Sequence, residues 1–186
     1  MPRAGLSPDV VVAEAAVLVD ETGAAQLTLA ALAKRFGVAL PSLYKHVGGL
    51  DDLHARLAAT VAGELAVEAR RAATGRAGAD ALRAVADAYR GYAHAHPGRY
   101  EYLLRARPDD PAYVEAAGEV LDVLDGVFAG YRITGDDAVD AARFVRSTLH
   151  GFVSLEAAHG FGMPRDVDRS FDRLVSALDL ALRDWV

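Results

Sequence analysis

The sequence predicts an all-α fold on three observations. Apolar residues recur at spacings of three and four over most of the chain, and no segment sustains the apolar–polar alternation of a strand. Alanine and leucine outnumber the β-branched residues, which tilts local propensity toward helix. Capping residues, glycines and prolines fall at helix-length intervals, so most ends are marked.

Taken in order, the first helix is expected over residues 8–22. Ser7 is placed to cap it, Pro8 suits a first helical position and Gly23 closes it. Thr28 caps a second helix over 28–36, ended by Gly37, and a third over 41–47 opens at Pro41. Helix 51–73 begins with Asp51-Asp52 and finishes near Arg70-Arg71, the charge order that the helix dipole favours. Helix 78–95 follows. Pro97, Pro108 and Pro111 then divide the middle of the chain into helices 97–105 and 110–130. Thr134-Gly135-Asp136-Asp137 opens helix 136–159, which Gly160, Gly162 and Pro164 terminate, and helix 167–184 comes last. These are about nine helices: a three-helix module over residues 1–50, then a helical bundle over 51–186.

Hydrophobic residues make up 52 % of the 186, enough for a sizeable core. No apolar run is long enough to span a bilayer and the first residues lack a secretory pattern, so a cytoplasmic protein is expected. The absence of cysteine excludes disulfides, thiol catalysis and thiolate metal sites. A net charge of −6 argues against indiscriminate coating of nucleic acid. The charge is unevenly spread, however. Residues 1–50 carry four bases (Arg3, Lys34, Arg35, Lys45) against four acids (Asp9, Glu14, Asp20, Glu21). From Glu21 to Asp51 there is no carboxylate between, so a polyanion can approach this stretch without repulsion.

That acid-free stretch contains the most informative motif, Thr28 to Val47. A short helix ends at Gly37, where glycine tolerates the left-handed backbone of a tight turn, and a second short helix begins at Pro41. Leu29, Leu32, Ala33 and Phe36 share one face of the first, and Val38, Leu43 and Val47 supply matching apolar contacts. Ser42, Tyr44, Lys45 and His46 are left to face outward, the composition of a helix laid in a DNA major groove.

The segment Leu29-Ala-Ala-Leu-Ala-Lys-Arg-Phe-Gly-Val, with Ser42-Leu-Tyr-Lys-His-Val and Leu50-Asp-Asp-Leu53, closely resembles the DNA-binding domain of TetR-family transcriptional regulators. The stretch Leu149-His-Gly-Phe-Val-Ser-Leu-Glu156, with Gly160-Phe-Gly-Met-Pro164, resembles the C-terminal ligand-binding domain of the WHG-type subgroup. The resemblance implies a ligand-responsive repressor, not an enzyme and with no cofactor. It would bind a palindromic double-stranded DNA operator as a homodimer and be released by a small apolar or aromatic effector. It also implies that Thr28 and Tyr44 contact phosphates, Lys45 a phosphate or guanine, and Ser42 and His46 a phosphate or base edge. Two departures stand out. Leu50 occupies the position where the family commonly has a phosphate-binding lysine, and Leu40 and Pro41 replace the small polar residues that often open the recognition helix. Arg3 alone is a weak basic arm.

Aromatic residues cluster in the middle of the chain, and Tyr89, Tyr92, Phe128 and Phe144 are candidates for an effector pocket, tyrosine combining apolar bulk with one polar tip. On helices 136–159 and 167–184, Leu149, Phe152, Val153, Leu174 and Leu178 fall on wide apolar stripes. By resemblance these helices pair with their symmetry mates in the dimer; the alternative is that the stripes face only their own subunit.

Three rival chemistries are spelled in the chain. Asp136-Asp137-Ala-Val-Asp140 matches the DDxxD pattern of isoprenoid synthases, but the second metal motif of such enzymes is missing. His94 and His96 diverge on a helix. Ser147, His150 and Ser154 share a face without an orienting carboxylate at a suitable spacing.

Overall fold

The computed structural model describes residues 5–105 and 107–185, and all regular structure among them is helical. In order the helices are α1 (Pro8–Thr22), α2 (Leu29–Phe36), α3 (Leu40–Leu43), α4 (Leu50–Ala73), α5 (Gly78–Ala95), α6 (Pro97–Tyr100), α7 (Pro111–Ala129), α8 (Asp136–Ala157) and α9 (Val167–Arg183), with 3₁₀ turns at Ala24–Gln26 and Glu101–Leu104.

The local signals act as the sequence implies. The Ser7 hydroxyl accepts the Val10 N–H at 3.2 Å, with Pro8 at the start of α1. Thr28 Oγ1 accepts the Ala31 N–H at 3.1 Å, capping α2. Two expectations need correction. The helix expected over 97–105 divides into α6 and a 3₁₀ turn, whose tighter winding accompanies the burial of Tyr102. The helix expected over 41–47 is α-helical only from Leu40 to Leu43. Beyond it the winding tightens, the Leu43 carbonyl accepting the N–H of both His46 (2.9 Å) and Val47 (3.1 Å) before Gly48-Gly49.

The chain forms two units, and the first is discontinuous in sequence. It comprises the residues up to Gly63 together with His96–Ala117. Within it α2 packs on α1 and α3, and α6 packs on α1. Asp20, near the end of α1, secures the returning segment. Its carboxylate accepts the backbone N–H of Arg99 at 2.9 Å and Nε of Arg99 at 2.6 Å, and lies 3.2 Å from Nδ1 of His96. The approach is so close that a Cβ on Gly98 would lie 1.9 Å from the Val19 carbonyl oxygen.

The second unit comprises Glu64–Ala95 and the residues from Gly118 onward. Here α5 packs on α8 and α9, and α8 packs on α9, around Leu82, Phe128, Val145, Leu149, Phe171 and Leu178. At one edge of this core Arg90 ties three helices together. Its guanidinium donates to both oxygens of Glu156 and, at 2.7 Å, to Asp168, and it lies 4.7 Å from the centroid of the Phe171 ring. Nε2 of His94 is 2.9 Å from the same Glu156 carboxylate.

Each unit holds a half-buried histidine with a depressed pKa. In the first, burial lowers that of His54, with Arg105 and Arg107 acting in the same direction; its Nδ1 is 2.8 Å from the Tyr102 hydroxyl. In the second, burial lowers that of His150, aided by Arg146. Both folded values lie below the ordinary 6.5, so the unfolded chain takes up protons first as pH falls through that value. Stability is expected to drop as pH falls through about 6.5 toward the lower folded values, and the paired variant His54→Asn/His150→Asn to show a shallower drop in thermal melts. Carboxylates held low by arginines, Glu21 by Arg35 and Glu156 by Arg90, act only below their ordinary value of 4.5, which separates the two windows.

Candidate nucleic-acid interface

The helix-turn-helix is assembled from short-range signals and anchored by one arginine. Gly37 adopts the left-handed conformation (φ 65°, ψ 35°), and the Val38 N–H reaches back to the Ala33 carbonyl at 3.0 Å, turning the chain sharply from α2 to α3. Leu32, Leu43 and Val47 are buried and fix α3 against the rest of its unit. Arg35, one of the four bases of the first fifty residues, donates to Glu14 and Glu21 and holds α2 to α1.

The orientation of α3 follows from that burial. Tyr44 is 56 % exposed, Lys45 is exposed beside it, and Ser42 and His46 are half-buried on the flanks. Thr28 is exposed at the start of α2 even though its hydroxyl caps that helix. At the next helix start the Asp52 carboxylate accepts the Gly48 N–H at 2.8 Å and pairs with Arg56, while Leu50 presents an apolar side chain. Arg3 lies outside the described residues.

The other expected sites are placed as follows. Phe128 is fully buried in the second unit's core, and Tyr89 and Phe144 pack against that core from its edges. The Tyr89 hydroxyl is 3.3 Å from Nδ1 of His150, and the Phe144 ring lies 5.4 Å from that of Trp185. Tyr92 is buried outside this cluster, its hydroxyl donating to Glu64 at 2.6 Å. Leu149, Phe152, Val153 and Leu178 are buried within the chain itself, and Leu174 is half-buried. The apolar stripes are thus turned inward, because a helix's widest apolar stripe serves its own core first. The outward face of α8 carries Ser147, Gly151 and Leu155, and that of α9 carries Ala177 and Leu180.

The rival constellations do not assemble. His150 shares a hydrogen bond with Ser154, whereas Ser147 donates to the Phe144 carbonyl. His94 and His96 bond separately to Glu156 and Asp20, and Asp140 pairs with Arg143. Among the described residues no group of three or more His, Cys, Asp or Glu is placed to hold a metal ion, and no helix is long and apolar enough to cross a membrane. Sequence reasoning missed the Asp20 anchor and the Gly98 contact, both of which depend on partners far along the chain.

Residues 82–178 match the family described as tetracyclin repressor-like, C-terminal domain. The chain is 38 % identical over 167 residues to the uncharacterized HTH-type transcriptional regulator Rv0681 of Mycobacterium tuberculosis, covering 89 % of this chain and 75 % of that one. It is 33 % identical over 166 residues to the uncharacterized HTH-type transcriptional regulator YobS of Bacillus subtilis, covering 89 % and 87 %. Among solved structures, the Streptomyces coelicolor TetR family protein ActR, in complex with actinorhodin, shares the fold with a TM-score of 0.71 at 18 % identity, over 96 % of this chain and 97 % of ActR. With a reader module at its N-terminus and this match over its C-terminal half, the chain belongs to the TetR family of HTH-type transcriptional regulators.

Proposed function

We propose that this TetR-family chain is a ligand-responsive repressor. It binds a palindromic operator as a homodimer and leaves it when a small apolar or aromatic effector binds. Residues 1–50 carry the DNA contacts, and residues 51–186 carry effector binding and dimerisation. The observation that carries the reading is the outward surface of α3 and the turns after it, where Ser42, Tyr44, Lys45 and His46 lie within a stretch free of carboxylates. Tyr44 contacts a phosphate, Lys45 a phosphate or guanine, Ser42 and His46 a phosphate or base edge, and Thr28 a phosphate at the start of α2.

A helix-turn-helix reader uses two half-sites about one DNA turn apart, so two copies are needed per operator. The outward faces of α8 and α9 pair with their symmetry mates, with Leu155 and Leu180, 52 % and 63 % exposed, as the largest apolar contributions. Tyr89, Tyr92, Phe128 and Phe144 supply the effector site. The actinorhodin complex of ActR supports the reading that a chain of this fold takes a small-molecule effector. Effector binding favours a conformational population in which the two readers no longer match successive half-sites.

The test is retention of specific duplex DNA by Tyr44→Ala/Lys45→Ala. At ~1–3 kcal/mol per lost contact, affinity is expected to fall at least about a hundred-fold with the melting temperature unchanged. Undiminished retention by the folded variant overturns the reading. Thermal shift against a panel of aromatic metabolites tests the effector, since a specific ligand raises the melting point by mass action.

A further inference from the structure

The start of α3, at Leu40 and Pro41, is apolar and exposed where a polar base-reading side chain is the ordinary choice. Ala39, Leu40 and Pro41 are all exposed, Leu40 by 38 %. Ala39 caps α3 without a side-chain hydrogen bond, and the nearest polar side chain on α3, Ser42, is half-buried on its flank. Leu43 and Val47 anchor the opposite side, at 0 % and 2 % exposure. Leu40, Pro41, Tyr44 and Lys45 are all exposed, with Leu43 and Val47 turned inward between and after them, so the apolar pair and the polar pair lie on the outward side of one short segment.

We infer that Leu40 is a specificity-determining residue that reads a thymine methyl in each half-site of the operator. The inference rests on the DNA-binding reading and deepens it. Residues at the start of a recognition helix meet base edges, while later ones meet the backbone. In the major groove guanine, cytosine and adenine present hydrogen-bonding groups, and the C5-methyl of thymine is the apolar feature. Leucine pressed against a polar edge leaves that edge without its hydrogen bond, whereas leucine against the methyl buries apolar surface on both sides. The absence of carboxylates from Thr22 to Leu50 lets this apolar turn come close to the duplex, and Lys34 and Lys45 stand exposed on the same module.

The experiment uses the full chain and a duplex selected by it from random-sequence DNA. Each thymine of that duplex is replaced in turn by deoxyuridine, which removes the methyl and nothing else. One thymine per half-site is expected to respond, with affinity falling about four-fold, equivalent to the ~0.8 kcal/mol of one buried methylene-sized group, and about fifteen-fold when both half-sites are changed. Leu40→Ala is expected to fold normally, to bind the thymine duplex about as weakly as the wild type binds the uracil duplex, and to be indifferent to the replacement. A selected duplex insensitive to uracil at every thymine overturns the contact alone, as does Leu40→Ala retaining the wild-type sensitivity. Failure to select any specific duplex removes the DNA reading and the contact with it.

Discussion

Gly98→Ala is expected to destabilise the protein by about 3 kcal/mol or more, lowering its melting temperature by roughly 6–12 °C for a chain of this size. A glycine-to-alanine change inside a helix ordinarily stabilises by ~0.5–1 kcal/mol, so the sign here is inverted. The added methyl would lie 1.9 Å from the Val19 oxygen, 2.2 Å from its carbonyl carbon and 2.7 Å from the Asp20 nitrogen. All three are backbone atoms of α1, and none can swing aside as a flexible side chain would. Relief requires α6 to lift from α1, which strains the hydrogen bonds from Arg99 to Asp20. Gly63→Ala and Gly91→Ala are the controls: both sites lie within helices with nothing within 4 Å of the new methyl, and both variants are expected to melt at or slightly above the wild type. Melting curves by circular dichroism decide it, and a Gly98→Ala protein as stable as the wild type would contradict the close crossing of α1 and α6.

Arg90→Ala is expected to destabilise the protein by about 2–4 kcal/mol. The Arg90 and Glu156 side chains are 15 % and 16 % exposed, so removing the guanidinium leaves a largely buried carboxylate without its main partner. Asp168, 78 % exposed, is rehydrated at little cost. Arg90→Lys should recover less than half of the loss, because an ammonium lacks the planar fork that donates in parallel to both oxygens of Glu156 while sitting over the Phe171 ring. The pH dependence provides an internal check. Hydrogen bonds from Arg90 hold the Glu156 carboxyl below its ordinary value of 4.5, so their stabilising effect is present above that pH and is lost as pH falls through the lower folded value. The gap between wild type and Arg90→Ala, measured in urea titrations, is therefore expected to narrow in acid.

Much of this architecture is legible in the sequence because the decisive signals are local. Ser7-Pro8, Thr28 and Gly37 act within four residues of themselves, and the structure uses each as a cap or turn. The outward surface of α3 is legible for the same reason: Leu43 and Val47 claim the inward side, leaving Tyr44 and Lys45 facing out. What the sequence hides is the identity of distant partners. Arg35 reads as a free cation until the fold places Glu14 and Glu21 beside it. Asp20 gives no hint of His96 and Arg99, more than seventy residues away. The stripe containing Leu149 and Leu178 announces that something apolar covers it, but amphipathic periodicity does not distinguish the subunit's own core from a second copy. The third helix ends sooner than its sequence implies because shared hydrogen bonding at the Leu43 carbonyl sets its end, and composition does not encode that.

The discontinuity of the first unit has a consequence for synthesis. A ribosome adds about 5–20 residues per second and releases domains in order from the N-terminus, yet this unit is complete only after His96–Ala117 has emerged. Until then the nascent reader lacks the cover over α1 at Val19 and Asp20, and most of the intervening helical sequence has already been translated. A fragment cut after Gly63 would remain in that half-built state, so any piece used to study how this reader grips DNA must extend at least through Ala117.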